Sequence, residues 1–204
     1  MHPQCHCTTG PAHDMEDYHA WLDWLDKGGT TEEWERLKTL GKSDKMQLTK
    51  KEKKTLLEYK SSASYRINEL LRNHKDTDEL PEQERKFVEE LDSALSKMPK
   101  YEGNLIRTVD FTAFSDKNER IEKFMKEYVE NETVTINQYW SMSKERGYNE
   151  DADIQIYVQS SKKGRDISSI GLDEKEVLYE RKQEFCVVKT VNYNGKYFIL
   201  LKER

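Results

Sequence analysis

The chain has 204 residues, enough for one domain with an additional segment and for a sizeable buried core. Charged residues make up 36% and hydrophobic ones 35%, with Trp, Tyr and Phe plentiful, which excludes a disordered chain and points to a lean core under a highly charged surface. The net charge of -5 disfavours general binding to nucleic acid or to an anionic membrane, no apolar stretch reaches bilayer-spanning length, and an odd count of three cysteines offers no disulfide framework.

The first segment, Met1 to Pro11, reads as a non-helical tail. His2, Cys5, His6, Cys7 and His13 are metal-ligating types, but they lack the two separated ligand pairs of a structural zinc site, so no metal is expected. Asp14 caps a predicted helix with Tyr18, Trp21, Leu22 and Leu25 on one face, ended by Gly28-Gly29. Thr30 and Glu33 form a capping box for a second helix carrying Trp34, Leu37 and Leu40, and Gly41 closes it. The lysine-rich run from Lys42 to Lys60 reads as a solvated helix face. Thr49 and Glu52 repeat the box for a longer helix through Leu56, Ala63, Ile67 and Leu71, with an interruption expected at Ser61-Ser62-Ala63-Ser64. Pro81 opens a helix with Phe87, Val88, Leu91, Ala94, Leu95 and Met98 on its apolar face, and Pro99 stops it.

Beyond Pro99 the period changes. Strands are predicted over 104–109, 133–140 and 153–158, with a helix over 115–130 between the first two. Asn194-Gly195 joins two further strands in a hairpin. Helices first and strands afterwards predict an α+β fold with an antiparallel or mixed sheet.

Three polar features stand apart in this second half: Arg107, Ser141, and the pair Glu174 and Glu176 where a polar loop enters an apolar strand. Residues two apart in a strand face the same way, so both carboxylates would line one cleft. Like charges that close are costly unless a cation or hydrogen-bond donors offset them.

Arg107, Ser141-Met142-Ser143 after Trp140, and Glu174-Lys175-Glu176 resemble, in order and spacing, the motifs of the Arg-Ser-Glu class of mono-ADP-ribosyltransferases, which includes the actin-modifying binary toxins and related phage enzymes. The helix around Tyr59 and Asn68, and the loop Lys163 to Ser168, resemble that family's nucleotide-pocket helix and its loop over the nicotinamide and phosphates. Departures from the family pattern stand out: Met142 replaces the threonine of the serine motif, the short stretch between Ser143 and Asp153 gives no clear place for the phenylalanine that in relatives stacks on nicotinamide, and Thr108 follows the arginine where many relatives have glycine or arginine.

The resemblance implies N-terminal helices followed by two packed, mainly antiparallel sheets, with a tail and helical pair over 1–48 and a catalytic domain over 49–204. NAD is the implied donor, held by Arg107, Thr108, Tyr59, Asn68, Ser141 and Arg165. Glu176, Glu174 and Ser141 are the implied catalytic set. Glu176 would hydrogen-bond the ribose 2′-hydroxyl and oppose the positive charge that develops when nicotinamide leaves. Glu174 would orient and deprotonate an acceptor guanidinium, so a protein arginine is the expected acceptor. NAD glycohydrolysis and an inactive virion module are the alternatives. The segment His2 to Thr9 resembles a signature of phage minor head proteins. Host cytoplasm or virion is therefore the expected location and the phage head a further expected partner.

Overall fold

The computed structural model describes residues 15–34, 48–74, 76–145, 149, 151–171 and 175–204. The chain divides into two compact units, 1–46 and 47–204. In the first, α1 (Met15–Asp26) ends where Gly28 takes a φ of 86°, a left-handed conformation that a helix terminus needs and glycine adopts without strain. The Thr30–Glu33 box closes in both directions, at 3.0 and 3.2 Å. The tail with its cysteines and the segment bearing Leu37, Leu40 and Gly41 lie outside the described residues.

The second unit opens with α2 (Lys50–Glu58), whose Thr49–Glu52 capping box forms as expected. At the serine-rich stretch α2 passes through a π-helical turn, Tyr59–Ala63, into α3 (Ser64–Asn73). The cause is local: Ser61 Oγ donates to the Glu58 carbonyl at 3.0 Å, so a side chain competes with the backbone for a helix acceptor. Leu56, Tyr59, Ala63, Ile67 and Leu71 form one buried stripe across this turn. It packs against Val88, Leu91, Ala94 and Leu95 of α4 (Glu82–Ser96).

Among the described residues eight strands follow, with α5 (Lys117–Met125) between the first two: β1 (Gly103–Val109), β2 (Thr133–Ile136), β3 (Trp140–Ser143), β4 (Ile154–Ser161), β5 (Arg165–Asp166), β6 (Glu176–Tyr179), β7 (Gln183–Tyr193) and β8 (Lys196–Glu203). The order is β2-β7-β8-β4-β1-β3-β6-β5, antiparallel except for the parallel pair β4 and β8. Asn194 and Gly195 both take positive φ, 53° and 78°, as a tight hairpin matched to strand twist requires.

In place of two separate sheets there is one continuous sheet folded on itself. Phe185 on β7 meets Trp140 on β3 and Tyr179 on β6 at 5.3 and 5.1 Å between ring centroids, although β8, β4 and β1 separate β7 from β3 in the strand order. The fold line runs between β1 and β3, which share the register pair Ile106 and Ser143. The halves thus pack as the expected two layers, around Leu105, Met142, Ile156, Val158, Val177 and Ile199. Strand β6 alternates between two cores: Val177 and Tyr179 face the other half of the sheet, while Leu178 faces the helices.

The strand expected over 133–140 breaks in two because its ends pair on opposite halves of the sheet, β2 with β7 and β3 with β6. Tyr139 at the crossing turns into the helical core, where its hydroxyl donates to Asp92 at 2.5 Å. The helix expected over 115–130 is regular only to Met125, and turns carry the chain on to Tyr128.

Candidate active site

Glu176 is the first residue of β6 and shares a face with Leu178, so its carboxylate points toward the helical layer. It is 8% exposed. Directly across the ladder stands Ser143, while Ser141 stands opposite Leu178, one pair further along the same face. The serine nearest Glu176 in register is therefore Ser143, and Ser141 reaches it only diagonally.

Arg107 on β1 reaches the same strand from the other side. Its Nη1 donates to the Ser141 carbonyl at 2.6 Å, and its Cζ lies 5.9 Å from the Trp140 ring centroid. Burial lowers the Arg107 pKa, while Tyr128, Tyr59 and Glu176 act against that shift. Thr108, its neighbour, alternates to the opposite face and pairs with Gln155 of β4.

The π turn supplies the third wall. Tyr59 is buried at 2% exposure, meets Tyr139 edge to face at 5.5 Å, and accepts a hydrogen bond from Asn68 Nδ2 at 2.9 Å. In an uninterrupted α-helix nine residues carry a side chain about two and a half turns, to the opposite face. The wider turn absorbs roughly one residue of that rotation and lets Tyr59 and Asn68 meet. Burial pushes the Tyr59 hydroxyl well above its ordinary range; Asn68 and Arg107 pull it down and Glu176 pushes it further up. Tyr59, Arg107 and Glu176 are thus close enough to act on one another electrostatically.

Next to Tyr59, Lys60 turns inward, with Nζ 3.5 Å from Glu176 Oε2 and the two side chains 8% and 10% exposed. The reading of the lysine run as a solvated face holds for Lys50, Lys51, Lys53 and Lys54, which are exposed, and fails at Lys60. The available signal was its place beside the serine cluster that interrupts the helix.

Two other positions differ from expectation or fall beyond view. Arg165 directs Nε to Glu180 at 2.8 Å and Nη1 to the Met98 carbonyl at 3.2 Å, so its guanidinium braces the β5–β6 edge instead of joining Arg107 and Glu176. Glu174 lies outside the described residues, and β6 begins only at Glu176.

A buried carboxylate, a guanidinium and an ammonium around a tyrosine–asparagine pair suit a ligand that carries both negative charge and hydroxyl groups. Two buried polar atoms, Lys60 Nζ and Asn68 Oδ1, have no hydrogen-bond partner among the described residues, as a site shaped for such a ligand leaves them.

The model of the ADP-ribosyltransferase exoenzyme family matches residues 31–204. No curated protein sequence matches the chain. Among solved structures, the C3 exoenzyme of Clostridium limosum is similar at 23% identity over 83% of this chain and 94% of that one, with a TM-score of 0.65. C3stau2 from S. aureus, solved with NAD, is 18% identical over 79% of this chain and 90% of that one, at a TM-score of 0.61. Vis from Vibrio splendidus, solved with agmatine, is 18% identical over 79% of this chain and 78% of that one, also at 0.61. The folded-over sheet with its helical layer is shared with these structures, and the match over most of its length makes the chain a member of the ADP-ribosyltransferase exoenzyme family, whose enzymes use NAD as substrate.

Proposed function

We propose that the protein is an Arg-Ser-Glu-class mono-ADP-ribosyltransferase that transfers ADP-ribose from NAD to an arginine of a target protein. The observation that carries this reading is the Glu176 carboxylate, buried across the ladder from the serine motif whose backbone Arg107 holds. Glu176 accepts a hydrogen bond from the ribose 2′-hydroxyl and places negative charge where positive charge develops as the bond to nicotinamide breaks. Ser141 and Ser143 line the same face of the strand paired with β6, Ser143 directly opposite Glu176. Arg107 binds the diphosphate through the guanidinium nitrogens that its bond to Ser141 leaves over. The buried Tyr59 hydroxyl holds the Asn68 amide nitrogen, which leaves the Asn68 amide oxygen for the nucleotide.

Arginine as acceptor rests on Glu174. A guanidinium is protonated at any physiological pH and is a poor nucleophile until a carboxylate orients it and accepts a proton. Vis, similar in fold, has been solved with agmatine, whose guanidinium is the reactive group of arginine. The test is incubation with labelled NAD and host-cell lysate, with mass spectrometry of labelled proteins. Glu176→Gln abolishes both NAD cleavage and transfer; Glu174→Gln loses arginine labelling but retains much of the NAD hydrolysis. Equal loss of both activities in Glu174→Gln refutes this division of labour. Free ADP-ribose without any labelled protein identifies a glycohydrolase instead.

A further inference from the structure

Lys60 has no part in the roles above, yet it is the cation set against Glu176. Its Nζ stands 3.5 Å from Glu176 Oε2 inside the protein and has no hydrogen-bond partner among the described residues. An ammonium carries three donors, and one left buried and unbonded costs more than a loosely spaced ion pair returns. The position is built: Lys60 lies on the π turn Tyr59–Ala63, four residues beyond the buried Leu56, and such turns are frequent at functional sites. On the same turn and its following helix, Asn68 commits its amide nitrogen to Tyr59 and leaves its buried Oδ1 without a partner. One unbonded donor and one unbonded acceptor together suit a ligand that both accepts and donates.

A carboxylate and an ammonium at this spacing suit one hydroxyl, which donates its proton to the first and accepts from the second. A phosphate oxygen suits the pair poorly, because it is an acceptor only and Glu176 repels it. We infer that Lys60 is a ribose-binding residue whose ammonium donates to the oxygen of the same 2′-hydroxyl whose proton Glu176 accepts. This rests on the transferase reading above. The lysine draws electron density from that oxygen and makes its proton easier to share with Glu176.

The test compares kcat/KM for NAD with that for NAD lacking the 2′-hydroxyl of the nicotinamide ribose, using wild type, Lys60→Met and Lys60→Gln, each checked by circular dichroism. Lys60→Met is expected to lose about tenfold to a hundredfold on NAD, as for a charge-assisted hydrogen bond, and no more than about threefold on the deoxy donor. Lys60→Gln, which keeps an N–H donor, recovers part of the loss on NAD alone; if Lys60→Met does not fold, the glutamine variant carries the same comparison. Equal losses on the two donors overturn the inference and assign Lys60 to the diphosphate or to folding. Wild type that cleaves no NAD overturns the transferase reading itself, and with it the role of Lys60.

Discussion

Glu52→Gln tests how the helix that carries Tyr59 and Lys60 is held in place. Glu52 is 3% exposed at the start of α2. Its Oε1 takes Lys97 Nζ at 2.5 Å and Ser93 Oγ at 2.7 Å, both near the end of α4, while Oε2 takes the Thr49 amide at 2.7 Å. Lys97, with the capping bond, holds the carboxyl down at about 2 from an ordinary 4.5. A drop of that size corresponds to about 3 kcal/mol if fully expressed. Lys97 keeps a fifth of its side chain in water, and screening brings the expected contribution to about 1–2 kcal/mol. Because the folded-state value is depressed, this stability is present above about 4.5 and is lost as pH falls toward about 2. Urea unfolding followed by circular dichroism should therefore show the variant about 1–2 kcal/mol less stable at neutral pH, with the gap closing in the acid range. A gap below a few tenths of a kcal/mol at neutral pH, or one that stays constant down to the acid limit, would refute the assignment.

Other substitutions probe the site and its support. Arg107→Lys keeps the charge but cannot hold the Ser141 carbonyl and a diphosphate together, so KM for NAD should rise about tenfold or more with a smaller change in kcat; steady-state kinetics with varied NAD decides it. Leu178→Ala opens a cavity between β6 and the helices beside Glu176, at a cost of about 2–5 kcal/mol. A thermal melt should register this as a fall of several degrees, and a loss under about 1 kcal/mol would mean that the site collapses around the gap. Glu176→Gln and Glu174→Gln should separate NAD cleavage from arginine transfer in the labelling assay.

Much of the fold was legible because its signals act over a few residues. Capping boxes at Thr30 and Thr49 close between positions three apart, the apolar stripe through Leu56, Ala63 and Ile67 follows helical spacing, and Asn194-Gly195 specifies its own turn. The serine cluster even marked the π turn, since Ser61 acts on a carbonyl three residues away. Relations across long stretches of chain were not legible. Ser143 came to face Glu176 only through the register of β3 on β6, and Arg165 met Glu180 and Met98 only because β5 lies at the sheet edge beside the end of α4. The break at Tyr139 arose because the two ends of one apolar run found different partner strands. Lys60 is the sharpest case: composition makes it one more surface lysine, whereas it lies beside the buried Leu56 stripe and pairs with a carboxylate 116 positions along the chain. Local hydrogen bonding writes helix ends and turns into neighbouring residues; which charge faces which depends on strand pairing and on the folding of the sheet, and these bring together residues that carry no mark of one another in the sequence.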